Sequence, residues 1–229
     1  MPAFEAAVGL GYRYVETDVH LTADGVLVAF HDPSLDRVTD RTGLIAELPW
    51  SAVSAARVTP PKGSSADAAP IPLLEDLLGT WPDLRVNIDP KHDESVGPLL
   101  ALLERANAVD RVCIGAFSDR RLARIRRTTN HRVCTGMGPR DIGRLWLAAK
   151  GVPVGHFAAP CAQVPAHAAG RTLVDRRFLD AAHRRGLKIH VWTIDDPAEM
   201  NRLLDLGVDG LMTDRPAVLK EVLQARGQW

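Results

Sequence analysis

Four short stretches carry residues whose types and spacing suit chemistry. In Tyr14-Val15-Glu16-Thr17-Asp18-Val19 two carboxylates stand two apart, so on a strand Glu16 and Asp18 share one face while Val15 and Val19 take the other. Adjacent carboxylates repel, and a divalent cation held by oxygen ligands removes that cost. With no soft ligand beside them, a hard ion such as Mg2+ or Ca2+ is favoured. The same spacing fits solvated carboxylates on an edge strand equally well. In Val86-Asn87-Ile88-Asp89-Pro90-Lys91, Asn87, Asp89 and Lys91 share a face. Asp89 completes a metal site there and Lys91 adds a positive charge for an anionic substrate, unless the two simply close the strand as an ion pair. Val28-Ala29-Phe30-His31-Asp32 ends an apolar run with an imidazole, either a proton carrier or a structural hydrogen-bond group. Asp32, followed by Pro33, is as good a turn former as a functional group. In His190-Val191-Trp192-Thr193, His190 and Trp192 share a face, and Trp192 suits either the core or the wall of a substrate pocket. Together these groups suit metal-assisted phosphoryl chemistry, in which charge on phosphate oxygens is neutralised and histidine moves a proton.

The elements that must position these residues alternate along the chain. A helix over Ala3–Leu10 leads into a strand at Tyr12–Asp18, and Val26–Phe30 reads as a buried strand after the turn Ala23-Asp24-Gly25. That turn is too short for a helical crossover, so the chain is expected to come back along Val19–Thr22 before Val26–Phe30 enters the sheet. From about 33 to 70 the pattern breaks into turns ending in Pro60-Pro61-Lys62-Gly63-Ser64-Ser65, a short flexible insertion within a single domain spanning 1–229. Helices are expected at Leu73–Leu78, Val96–Ala106, 119–128, Phe178–Arg185 and Pro197–Leu206. Strands are expected at Leu84–Asp89, Val112–Phe117, Val133–Met137, Val152–Ala158, Lys188–Ile194 and Val208–Met212. The helix at Pro197 has Asp196 as N-cap and Glu199 three residues later. Such alternation predicts an α/β fold with a parallel sheet, and at this length a TIM (β/α)8 barrel, with a doubly wound sheet as the alternative. In a barrel the polar residues above fall at the carboxyl ends of strands, where barrel active sites are built.

Composition narrows the choice. The chain has 229 residues with 28 Lys+Arg against 28 Asp+Glu, 46% hydrophobic and 5% aromatic, which excludes a disordered chain. Zero formal charge gives no general pull toward nucleic acid, and no run is long enough to span a bilayer. A small-molecule partner is therefore expected, with no nucleic acid and no stable membrane insertion; the oligomeric state stays open. The first residues lack a signal peptide's pattern, so a cytoplasmic location is expected, with secretion open if the natural N-terminus is longer. Cys113, Cys134 and Cys161 lack zinc-site spacing and are expected as buried thiols. No P-loop, HExxH or GxSxG is present, and Gly136-Met137-Gly138 is an incomplete dinucleotide motif. The arginines of 120–127 surround Leu122 and Ile125 as the solvated side of an amphipathic helix.

The stretch FEAAVGLGYRYVETDVHLTADGVLVAFHDPSLDRVTDRTG, followed by IPLLEDLL, NIDPK, GLKIHVWTI and GVDGLMTDRP, resembles the glycerophosphodiester phosphodiesterases from Phe4 to the last strand and helix. It carries that family's E-x-D, T-x-D-G and H-D-P elements in order. The resemblance implies a TIM barrel of the phospholipase-C-like type that hydrolyses deacylated phospholipids such as glycerophosphocholine to glycerol 3-phosphate and an alcohol. It further implies Glu16, Asp18 and Asp89 as metal ligands, His31 as one of two catalytic histidines, Lys91 as a phosphate-side cation and Trp192, beside His190, as pocket lining. Asp89 stands where the family usually has Glu. The family's opening His-Arg-Gly strand and Pro-Glu-Asn-Thr loop are not in this sequence, so the barrel is expected to lack its first strand. The alternatives are a phosphodiester-binding module with half of its acid-base pair, or a related phospholipase D-like diesterase.

Overall fold

The computed structural model describes residues 1–60, 66–168 and 170–229, so Pro61–Ser65 of the expected flexible stretch lie outside the described residues. The chain forms two compact units, Met1–Ile114 with Arg124–Val133, and Gly115–Ala123 with Cys134–Trp229.

In the first unit, helix α1 (Pro2–Leu10) starts with proline at its first turn and stops at Gly11. The φ of 101° at Gly11 is a left-handed conformation open to glycine, and it turns the chain into strand β1 (Tyr14–Leu21). Phe4 and Val8, one turn apart, pack on the core. Strand β2 (Leu27–Ala29) returns antiparallel along β1, pairing Val19 with Ala29 and Leu21 with Leu27, the hairpin that the short turn demanded. Helix α2 (Trp50–Val53) and the ribbon of β3 (Arg57–Val58) with β4 (Ala69–Pro70) precede helix α3 (Leu74–Thr80), strand β5 (Arg85–Pro90), helix α4 (Val96–Arg105) and strand β6 (Val112–Ile114), while helix α5 (Asp119–Thr128) gives its residues from Arg124 on to this unit and the earlier ones to the second.

Strand β5 lies parallel to β1 and to β6, in the order β2-β1-β5-β6. One face of this sheet is apolar: Val19, Val86, Ile88, Val112 and Ile114 are buried with Leu99 and Leu103 of α4 and Leu74, Leu77 and Leu78 of α3. Strict alternation then aims Glu16, Asp18, Asn87 and Asp89 at the opposite face. Arg111 closes the layer, donating to the carbonyls of Leu78 (2.6 Å), Trp81 (3.3 Å) and Leu84 (3.0 Å). Arg111→Ala strips three partly buried acceptors of their partner and is expected to cost about 2 kcal/mol, read as a lower urea midpoint at an unchanged slope.

The segment after β2 is more organised than its aperiodic sequence suggested. Leu35, Ile45, Val53, Ala56 and Ile71 pack with Val28 and Phe30 into a small core of their own, half-covered by Val38, Leu48 and Trp50. Periodicity fails here because the apolar residues come from turns and a short 3-10 segment, Ile45–Glu47.

The second unit contains strand β7 (Cys134–Thr135), helix α6 (Pro139–Ala149), strand β8 (Cys161–Pro165), the ribbon of β9 (His167–Ala168) and β10 (Arg171–Thr172), helix α7 (Arg176–His183), strand β11 (Lys188–Trp192), helix α8 (Pro197–Leu206), strand β12 (Gly210–Leu211) and helix α9 (Pro216–Ala225). Strand β11 is parallel to β8 on one side and β12 on the other. Asp196 accepts from the Glu199 amide (2.9 Å), as its capping position predicts. The strand expected at Val152–Ala158 is not formed. Pro153 and Gly155 suit no ladder, and the carbonyls of Val154 and His156 accept from Arg144 instead. The strand lies at Cys161–Pro165, where small residues and the closing Pro165 masked it. Gly138 caps α6, and a Cβ there would stand 2.3 Å from an Asp119 carboxylate oxygen, so the glycine pair serves close packing.

Candidate active site

The parallel register of β1 and β5 sets Asp18 beside Asp89 and Glu16 beside Asn87, a two-by-two polar patch on the face opposite the core. Beyond it Lys91 turns back, and its Nζ lies 2.5 Å from an Asp18 oxygen and 3.1 Å from an Asp89 oxygen. Burial alone lowers the Lys91 pKa, but the Asp18 hydrogen bond and the charges of Asp89 and Asp18 outweigh it and raise it above 10.5, so the ammonium is permanently charged. Both aspartates are largely shielded, at 13% side-chain exposure each, so solvent and salt screen this bridge less than a surface ion pair. Glu16 is exposed one step earlier on the same face.

His31 leaves the end of β2 with its ring 74% exposed. Its backbone is fixed: the preceding Phe30 amide donates to the Asp18 carbonyl (3.0 Å), and the His31 carbonyl accepts from His20 Nε2 (3.1 Å). His20 is a residue that sequence reasoning missed. It continues the alternation of Glu16 and Asp18, is buried, and lies 5.3 Å from the His92 ring, and burial lowers its pKa. The signal was one more step of the same two-residue period. The His31 ring is held at Nδ1 by Asp32 (2.7 Å), whose carboxylate also receives Nε (2.5 Å) and Nη2 (2.8 Å) of Arg37. Hydrogen bonds from Arg37, then from His31, hold the Asp32 carboxyl far below the usual range. Asp32 is therefore a bonded partner as well as a turn residue.

The thiols differ from expectation. Cys161 is buried, but Cys113 and Cys134 are only half-buried, because alternation turns Cys113 to the face of its register partner Asn87, away from Val112 and Ile114.

In the second unit Trp192 and Phe117 meet edge to face at 5.8 Å between ring centroids, and Phe117 is 71% exposed. His190 packs against Gly210, where a Cβ would lie 3.0 Å from the imidazole. Burial, partly opposed by Asp209 and Cys134, lowers the His190 pKa below 6.5. Between that depressed value and 6.5 the unfolded chain binds a proton that the folded chain refuses, so stability falls as pH drops through this window. His190→Gln should give a shallower loss of unfolding free energy between pH 7 and 5 than the parent, measured by urea titration.

A family model of the glycerophosphoryl diester phosphodiesterases matches residues 1–218. The chain belongs to that family. A Mycobacterium tuberculosis protein named a probable glycerophosphodiester phosphodiesterase 2 is 40% identical across all of this chain and 86% of its own length. The crystal structure of a glycerophosphodiester phosphodiesterase from Agrobacterium tumefaciens shares the fold, with a TM-score of 0.76 at 23% identity over 96% of this chain and 91% of that one. An Oleispira antarctica phosphodiesterase, solved with the product sn-glycerol 3-phosphate, overlaps with a TM-score of 0.79 at 19% identity over 97% and 90% of the two chains. The TIM-barrel-like α/β fold expected from strand and helix alternation is thus the fold of this family.

Glycerophosphodiester phosphodiesterases generally depend on a divalent metal. Among the described residues no three His, Cys, Asp or Glu side chains are gathered as a ready chelate. The donor chemistry nonetheless fits a hard cation: Glu16, Asp18 and Asp89 offer only oxygen, and the ammonium between the two aspartates marks where positive charge is demanded. No helix among the described residues is long and apolar enough to cross a membrane.

Proposed function

We propose that this protein hydrolyses glycerophosphodiesters, such as glycerophosphocholine, to sn-glycerol 3-phosphate and an alcohol. The observation that carries the reading is the side-by-side pair Asp18 and Asp89 with Lys91 charged between them, on a chain of this family. Glu16, Asp18 and Asp89 would hold Mg2+ or Ca2+, which when bound supplies charge stabilisation at the phosphate. Lys91, bonded to both carboxylates, neutralises the negative charge that grows on the phosphate oxygens as the ester bond breaks. Since His31 is tied to Asp32 through Nδ1, the Nε2–H of its protonated form is the donor that gives the leaving alcohol its proton as an incoming hydroxyl oxygen takes the alcohol's place on phosphorus. In the second unit, the exposed edge-to-face pair of Phe117 and Trp192 is apolar surface of a kind that suits a glycerol backbone. The Oleispira antarctica relative's product complex supports glycerol 3-phosphate as the product.

The test is an assay with glycerophosphocholine, in which glycerol 3-phosphate and choline should appear in equal amounts and cease with Asp89→Ala. Turnover that survives Asp89→Ala would remove the pair from the mechanism.

A further inference from the structure

We propose that Arg37 is a positioning residue for diester cleavage: it clamps the Asp32 carboxylate so that Asp32 holds His31 at Nδ1 and leaves Nε2 to the substrate. The inference rests on His31 being the proton carrier of the reading above.

The geometry is a relay of three side chains. Arg37 presents Nε and Nη2 side-on, one to each Asp32 oxygen, at 2.5 and 2.8 Å. This two-point contact fixes the plane of the carboxylate, which one hydrogen bond cannot do. The oxygen that receives Nη2 also accepts from His31 Nδ1 at 2.7 Å, so the guanidinium sets the direction in which the imidazole is held. Asp32 is 14% exposed, whereas Arg37 and His31 are 65% and 74% exposed. The anchored member is thus the carboxylate, and a bare imidazole this open would otherwise sample several rotamers and both tautomers.

The neighbouring chain explains why an exposed arginine can hold its place. Leu35, fully buried, and Val38, packed on the same small core, bracket Arg37 in sequence. The Thr39 amide donates to the Leu35 carbonyl (3.1 Å) and the Thr59 amide to the Val38 carbonyl (2.8 Å). Asp36 accepts from the Gly43 amide (3.1 Å), closing the turn. The packed segment after β2 therefore delivers a guanidinium to the back of Asp32.

Two readouts test this, one of which needs no turnover. The His31 tautomer is read from ring nitrogen shifts by NMR at a pH where the imidazole is neutral. The parent should show the Nδ1–H form; Arg37→Ala and Asp32→Asn should both move toward a mixture while remaining folded. Steady-state kinetics on glycerophosphocholine should show kcat reduced about tenfold or more in Arg37→Ala with KM little altered. Arg37→Lys, which restores charge without the fork, should recover only a small part. An unchanged tautomer in Arg37→Ala, or full recovery by lysine, would overturn the clamp. A changed tautomer with parental kcat would overturn its catalytic role; if His31→Ala also keeps parental kcat, the reading of His31 itself has failed.

Discussion

His31→Ala should stop release of sn-glycerol 3-phosphate, with kcat falling about a hundred- to ten-thousand-fold, the range for removing a proton-transfer group. The fold should not notice. The ring is 74% exposed and hydrogen-bonds to Asp32, which keeps Arg37 when the imidazole is gone. The expected change in unfolding free energy is within about 0.5 kcal/mol. Loss of activity together with a large loss of stability would instead make His31 a structural residue. The position is held without the His31 side chain, by the Phe30 amide donating to the Asp18 carbonyl and by the His20 ring donating to the His31 carbonyl.

Lys91→Met carries the second large effect, and it acts on activity and stability together. Removing the ammonium leaves Asp18 and Asp89 side by side, each 13% exposed, without the cation that joins them. Uncompensated carboxylates this shielded are expected to cost about 2 kcal/mol, less than a fully buried pair because water reaches part of the site. Turnover should drop about a hundredfold or more, since the charge proposed to meet the phosphate is lost. The two aspartates then become a better cation site. Mg2+ or Ca2+ should raise the thermal midpoint of Lys91→Met more than that of the parent, in differential scanning fluorimetry across a metal titration. A variant as stable as the parent and indifferent to metal would mean that the bridge contributes nothing.

The carboxylates and the lysine were legible in the sequence because strand geometry is local. Residues two apart on a strand must share a face, and Glu16 with Asp18, or Asn87 with Asp89, needs nothing but that rule. What the rule cannot supply is register: only the pairing of β1 with β5 puts Asp18 beside Asp89. The same gap hid the face of Cys113, since its apolar neighbours Val112 and Ile114 suggested burial while its partner Asn87 lies on the polar side. The contact between Arg37 and Asp32 was invisible for another reason. It spans five residues of irregular chain whose course is set by Leu35 and Val38 in a small core without periodicity. Strand β8 was misplaced because Val152–Ala158 offers more apolar bulk than Cys161–Pro165, yet proline and glycine deny it a ladder. Helices α6 and α9 each begin with proline at the first turn, a local start signal that the search for apolar periodicity does not use.

The central claim is that the Asp18–Lys91–Asp89 cluster and His31 serve ester hydrolysis rather than binding alone. It is tested most directly by incubating the purified protein with glycerophosphocholine and Mg2+ or Ca2+, with a chelated control, and following glycerol 3-phosphate while heat of binding is recorded by calorimetry. The account predicts metal-dependent, multiple-turnover release of glycerol 3-phosphate that is lost in His31→Ala. Saturable heat with no product, in the parent as in His31→Ala, would contradict it and make the protein a phosphodiester binder.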